Sequence, residues 1–247
     1  MNYFKTFVLM FGLLMLMMFV GKMMGGTQGM IGFFVIGLVM NFVSYWFSDK
    51  IVLAMYGAKQ VQEHELTQVY AILKKLTQKV GMPMPKVYLM NTPLPNAFAT
   101  GRDPEHAAVA VTTGILNILD ERELTGVLGH ELAHVKNRDI LIATIAAVVA
   151  GAIVMASRMA MFFGGGRSDD RDDRSSGAVM LVMAILAPIA AMVIQMAISR
   201  SREYHADETG SELSGVPLSL ASALKKLQSG VRQHPSDVSP ATAHLFI

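Results

Sequence analysis

Four long apolar runs set the first limit on what this chain can fold into. Thr6 to Val20 is fifteen residues without a charge, and Met30 to Phe47 is eighteen. Ile140 to Phe163 is twenty-four residues broken only by Arg158, and Ala178 to Ser199 is a further twenty-two. A bilayer core about 30 Å thick is crossed by about twenty helical residues. The last two runs are therefore too long for buried helices of a small soluble core. The first is short, but Lys22 beyond it can snorkel and let Met23 and Met24 extend the span. A secretory signal is disfavoured, because no small-x-small cleavage site follows and a second apolar run begins within ten residues. Tyr45-Trp46-Phe47 closes the second run with aromatics suited to a membrane–water boundary. Arg158 lies near a span end, where its side chain snorkels. The composition agrees: 52% of residues are hydrophobic and only 16% charged. The twenty methionines sit mostly in the apolar runs and read as packing filler.

The runs pair into two expected transmembrane hairpins, over 1–47 and 140–199. The second carries Gly164-Gly165-Gly166 and a mixed-charge stretch, Arg167 to Arg174, which reads as a solvated loop. Between the hairpins, residues 48–139 have the character of a soluble domain. Leu66, Val69, Tyr70, Leu73, Leu76 and Val80 mark an amphipathic helix stopped at Gly81-Met82-Pro83. Lys86 to Met90 reads as a strand, Asn91 to Pro95 as a loop, and Asn96 to Thr100 as a second strand turning at Gly101-Arg102-Asp103-Pro104. Ala107 to Val111 returns beside it, and Thr112 or Thr113 can cap the short helix that follows. Residues 200–247 resume the soluble character, with Pro217 opening an amphipathic helix.

The soluble part centres on Leu128-Gly129-His130-Glu131-Leu132-Ala133-His134. At about 100° per residue, His130 and His134 fall on one helix face, one turn apart. Two imidazoles so placed can grip one Zn²⁺, with Glu131 beside them to accept a proton. Leu124, Val127, Leu128, Leu132 and Val135 form an apolar stripe bordering that face, so one side packs into a core and the next lines a cleft. Asp120 and Glu123 have the spacing of a capping box at the helix start. No cysteine occurs, so any metal must be held by His and carboxylate. A catalytic zinc needs a third protein ligand. The acids downstream are Glu203, Asp207, Glu208 and Glu212. Glu203 is preferred, because Asp207 one turn later shares its helix face. Two spans separate His134 from Glu203, so the chain would cross the bilayer and return to the same side. Eight Lys and Arg flank the spans on that side (Lys5, Lys50, Lys59, Arg122, Lys136, Arg138, Arg200, Arg202), against four on the other (Lys22, Arg167, Arg171, Arg174). That bias places the catalytic part in the cytoplasm.

These residues resemble the HtpX heat-shock proteases, integral-membrane zinc metalloproteases related to the CAAX prenyl proteases. The resemblance spans nearly the whole chain. It rests on the His130-Glu131-x-x-His134 helix, the four spans, Asn96-Ala97-Phe98 and Glu203-x-x-x-Asp207. It implies one Zn²⁺ per chain held by His130, His134 and Glu203, with Glu131 as general base. Asp207 would orient a ligand histidine through its free ring nitrogen. It also implies quality control of misfolded membrane proteins, self-cleavage when purified, and the inner membrane of a Gram-negative bacterium. Such relatives run on past Ile247 into a His-Pro-Pro-containing segment, so the chain is expected to be cut short. His234-Pro235 has different surroundings and takes no role from it.

The expected fold is therefore mainly α and integral to the membrane, with two helical hairpins and a cytosolic α+β, gluzincin-like protease domain bearing a small sheet. The expected reaction is peptide-bond hydrolysis. Asn96, Ala97, Phe98 and Ala99 are a candidate edge strand on which an extended polypeptide could add by backbone pairing; a plain interior strand is the competing reading. An intramembrane protease is disfavoured by the charges flanking the metal helix, Asp120 to Glu123 and Lys136 to Asp139, and by the absence of a downstream Leu-Asp-Gly. A membrane adaptor that uses zinc only as a brace would bind metal without turnover. The net charge of +2 gives no reason to expect nucleic acid.

Overall fold

The structure, a computed structural model, describes residues 2–145 and 200–233. Most of the third and fourth apolar runs, the loop between them, and His234-Pro235 lie outside the described residues.

The chain begins with α1 (Asn2–Met55), which is broken at Gly25 and Gly26. Gly26 has φ 59° and ψ −141°, a conformation that is essentially glycine's alone. The two arms fold back on each other there: Asn41 Nδ2, in the second arm, donates to Met10 O in the first at 3.0 Å. Among the described residues, Gly25–Phe47 is long and apolar enough to cross a membrane, while the apolar stretch Thr6–Phe19 is shorter. Large apolar side chains point outward along both arms, Phe4, Phe7, Phe11, Phe19, Ile31, Val35, Val39 and Phe42 among them. The helix does not stop where the apolar run ends. It continues past Phe47 to Met55, where Val52 and Leu53 are buried with Met90 and Phe98.

After β1 (Lys59–Gln60), helix α2 (Thr67–Val80) ends at Gly81 in the left-handed conformation, as Gly81-Met82-Pro83 foretells. Strands β2 (Lys86–Met90), β3 (Ala97–Thr100) and β4 (Ala108–Thr112) fall within a residue of their expected positions. Among the described residues they form one four-stranded sheet in the order β1-β2-β4-β3. β2 and β4 are parallel, and the other two pairings are antiparallel. β1 was not legible in the sequence, since two residues carry no periodicity. Thr112 Oγ1 accepts from Ile115 N and caps α3 (Thr113–Ile118).

Helix α4 (Glu121–Lys136) carries the histidines and starts at the expected capping box. Asp120 Oδ1 accepts from Glu123 N at 2.9 Å, and Glu123 Oε2 accepts from Asp120 N at 3.0 Å. All five residues of its apolar stripe are buried, in one core with Leu73, Val109 and Ile115. A further helical segment, residues 140–145, places Thr144 Oγ1 3.1 Å from Thr100 Oγ1 on β3.

The chain then presents α5 (Arg200–Ser214) and α6 (Pro217–Gln233) to the other side of α4. Glu123 is tied to α6 by Lys226 Nζ at 2.6 Å and Ser222 Oγ at 2.7 Å. Small residues set how closely α5 approaches. A Cβ on Gly210 would stand 2.8 Å from His130 Cα and 2.9 Å from His130 N, backbone atoms that cannot give way. Gly210→Ala is therefore expected to cost about 1–3 kcal/mol of stability. A melting temperature equal to that of the parent would show that α5 does not sit this close.

Candidate active site

α4 and α5 bring together the three residues expected to hold a metal. His130 Nε2 lies 3.2 Å from His134 Nε2, and Glu203 Oε2 lies 3.6 Å from each. Zinc bonds of about 2.0–2.2 Å in a tetrahedron put neighbouring ligand atoms about 3.3–3.6 Å apart. The triangle therefore has the size and donor chemistry that one zinc ion requires. Among the described residues this is the group of His and carboxylate side chains able to hold a metal.

Each imidazole has a carboxylate at its other nitrogen. Asp207 Oδ1 lies 2.9 Å from His130 Nδ1, although it stands outside in-line hydrogen-bond geometry. Asp139 Oδ2 lies 3.6 Å from His134 Nδ1. Sequence reasoning singled out Asp207 and missed Asp139. Asp139 arrives through the turn that ends α4: Arg138 has φ 58°, its N–H reaches Val135 O at 3.1 Å, and Asp139 N reaches His134 O at 2.9 Å. That is a Schellman closure, usually signalled by glycine at the left-handed position. With arginine there the signal is absent. Replacing Asp139 by Asn is expected to weaken zinc binding about 10–100-fold. Titration against a zinc-buffering chelator reads this directly, and an unchanged affinity would remove Asp139 from the site.

The charges of the cluster follow from the same contacts. Burial works against a positive charge on His134, but the carboxylates of Asp139 and Glu203 outweigh it and lift its pKa to about 10. The paired imidazoles hold the Glu203 carboxyl well below the usual carboxylate range, against the opposing effect of partial burial. Metal binding by these side chains is therefore coupled to proton release. Glu131 is buried, and burial raises its pKa although both histidines and a backbone N–H oppose the shift. A carboxylate pushed upward is the better proton acceptor near neutral pH.

That backbone N–H is Ala99's, which donates to Glu131 Oε2 at 2.8 Å. β3 is one of the two edges of the sheet among the described residues. Alternate residues of an antiparallel edge turn their backbone groups outward. Ala99 does so toward Glu131, and Ala97 shares its phase. Phe98 has the opposite phase, and its ring packs on Tyr56 with centroids 5.2 Å apart. Asn96 is buried, and its N–H donates to Thr112 Oγ1 at 2.9 Å. All four expected substrate residues are buried; the backbone of Ala97 and Ala99 turns away from β4, and the Phe98 ring packs against the end of α1. Tyr204 and His205 are exposed, as expected.

Comparison with known proteins agrees with this arrangement. Residues 63–241 match Peptidase family M48. A "Protease HtpX homolog" of Desulforapulum autotrophicum is 54% identical over 248 residues, covering 99% of this chain and 80% of the relative. Homologues of the same name from Syntrophobacter fumaroxidans and Aquifex aeolicus are 55% and 53% identical, over 99% and 94% of this chain and 88% and 79% of theirs. Among solved structures, S. mikatae Ste24p matches with a TM-score of 0.50 at 20% identity, covering 85% of this chain. The chain spans 53% of that protein's length, and the likeness is one of fold. The chain belongs to peptidase family M48 and is a metalloprotease of the HtpX type.

Proposed function

We propose that this chain is a zinc-dependent endopeptidase of the bacterial inner membrane that hydrolyses peptide bonds in misfolded or damaged membrane proteins from the cytoplasmic side. The observation that carries the reading is the 3.2, 3.6 and 3.6 Å triangle of His130, His134 and Glu203 beside a buried Glu131. His130, His134 and Glu203 hold one zinc, and Asp207 and Asp139 fix the two ring orientations. Zinc there supplies Lewis acidity and makes water acidic enough to give up a proton near neutral pH. Glu131 accepts that proton and returns it to the leaving amine. Ala99 N–H holds Glu131 beside the edge strand, so the base and the backbone that receives substrate keep a fixed spacing. An extended polypeptide adds along β3 by main-chain pairing, which tolerates many sequences, through backbone groups other than the Ala99 N–H already given to Glu131.

The outward apolar side chains of α1 support a bilayer as its surroundings, since so large an apolar surface is costly in water. In this reading 1–47 and 140–199 are two membrane hairpins. The protease part is built from 48–139 and 200–247, which meet on the cytoplasmic face. The full chain in neutral detergent is expected to cleave an unfolded casein-like protein with zinc, to stop with a chelator, and to resume on adding zinc back. Metal binding without cleavage would favour the adaptor reading instead.

A further inference from the structure

A second cavity lies away from the metal cluster, where α1 leaves its apolar stretch. It has a volume of about 520 Å³, and its lining includes Phe42, Trp46, Phe47, Lys50, Lys86 and Arg102. The apolar stretch of α1 ends at Phe47. With α1 placed in a membrane as proposed above, the aromatic residues stand at the depth of the bilayer surface and the cations beside them reach its headgroups.

The cations are arranged on the aromatics. The Arg102 guanidinium carbon sits 4.6 Å from the Trp46 ring centroid, and Arg102 Nη1 donates to Trp46 O at 3.4 Å. Lys50 Nζ lies 5.3 Å from the Phe47 ring centroid. Stacking on Trp46 and the Asp103 ion pair at 3.4 Å fix the guanidinium, and its remaining N–H groups can face a phosphate. Asp49 and Glu105 also line the cavity, and Asp103 lies 3.4 Å from Arg102 Nε. His106, at the rim, faces Asp103 at 2.6 Å. Within the lining three cations meet two carboxylates, an excess of one, and Asp103 beside it pairs with Arg102, so Lys50 and Lys86 are the cations left to meet an anion.

We propose that this cavity binds the phosphate headgroup of an anionic phospholipid. The phosphate would lie among Lys50, Lys86 and Arg102, with the upper acyl chain against Phe42 and Phe47. The combination selects an amphiphile, because an anion alone gains nothing from the aromatic wall and a neutral lipid gains nothing from the cations. The inference rests on the membrane placement of α1 proposed above.

Trp46 is the chain's single tryptophan and lies in the cavity wall, so its fluorescence reports occupancy. The full chain would be reconstituted in phosphatidylcholine vesicles and quenched with chain-brominated phosphatidylglycerol or chain-brominated phosphatidylcholine at equal mole fraction. Phosphatidylglycerol is expected to quench at a roughly fivefold lower mole fraction, since each lysine near an anionic surface contributes appreciably. The double variant Lys50→Gln/Lys86→Gln should lose that preference. Lys74→Gln/Lys75→Gln, which removes the same charge from α2, should keep it. Equal quenching by both lipids, or a preference that survives the first double variant, would overturn the headgroup site while leaving α1 in the membrane. Reversal of the preference by 10 mM inorganic phosphate would overturn it in favour of a free-phosphate site. If neither lipid quenches and the chain fails to float with the vesicles, the membrane placement itself is lost, and the inference goes with it.

Discussion

Glu131→Gln is expected to keep zinc at one ion per chain and to cut an unfolded substrate about 10³-fold more slowly than the parent, or slower still. The substitution isolates one property. Glutamine has nearly the shape of glutamate, and its carbonyl oxygen can still accept from Ala99 N–H, as Glu131 Oε2 does at 2.8 Å. The position of the side chain and the packing of α4 are thereby kept. What is lost is the ability to take up a proton, in a place where burial has already raised the carboxyl's appetite for one. Metal analysis of both proteins, paired with cleavage of a casein-like substrate, makes the comparison. Cleavage at the parent's rate would remove Glu131 as the base.

The second large effect is on the metal. Glu203→Ala should weaken zinc binding on the order of 10²–10³-fold, since one of three ligands and the negative charge of the cluster both disappear. Two imidazoles 3.2 Å apart remain, without the carboxylate that balances them. Zinc should then raise the melting temperature of the parent but not of the variant, because only a ligand that binds the folded state stabilises it. Glu208→Ala is the matched control, an exposed acid on the same helix whose ion-pair neighbour is His205 at 3.8 Å. It should retain full zinc. A variant lacking Glu203 that holds zinc as tightly as the parent would assign the third ligand elsewhere.

Much of the site was legible because its signals are local. The apolar stripe of α4, its capping box and the one-turn spacing of the histidines all lie within Asp120 to Val135, and each is found in the structure. The strands could be placed because prolines and glycines bracket them. The convergence of Glu203 depends on contacts between helices distant in sequence, yet chemistry anticipated it, since two histidines alone leave a catalytic zinc one ligand short. Asp139 escaped because its placement needs a left-handed backbone at Arg138, which nothing in that residue's identity announces. Phe98 was assigned to the substrate strand for a similar reason. Alternation says that one face of β3 differs from the other, but not that the end of α1 covers it.

The metal triangle has an ordering in time as well as in space. His130 and His134 leave the ribosome about seventy residues before Glu203 does. A nascent chain therefore carries only two of the three zinc ligands through the synthesis of that whole interval. The three-ligand site can therefore close only after α5 has been made and has met α4.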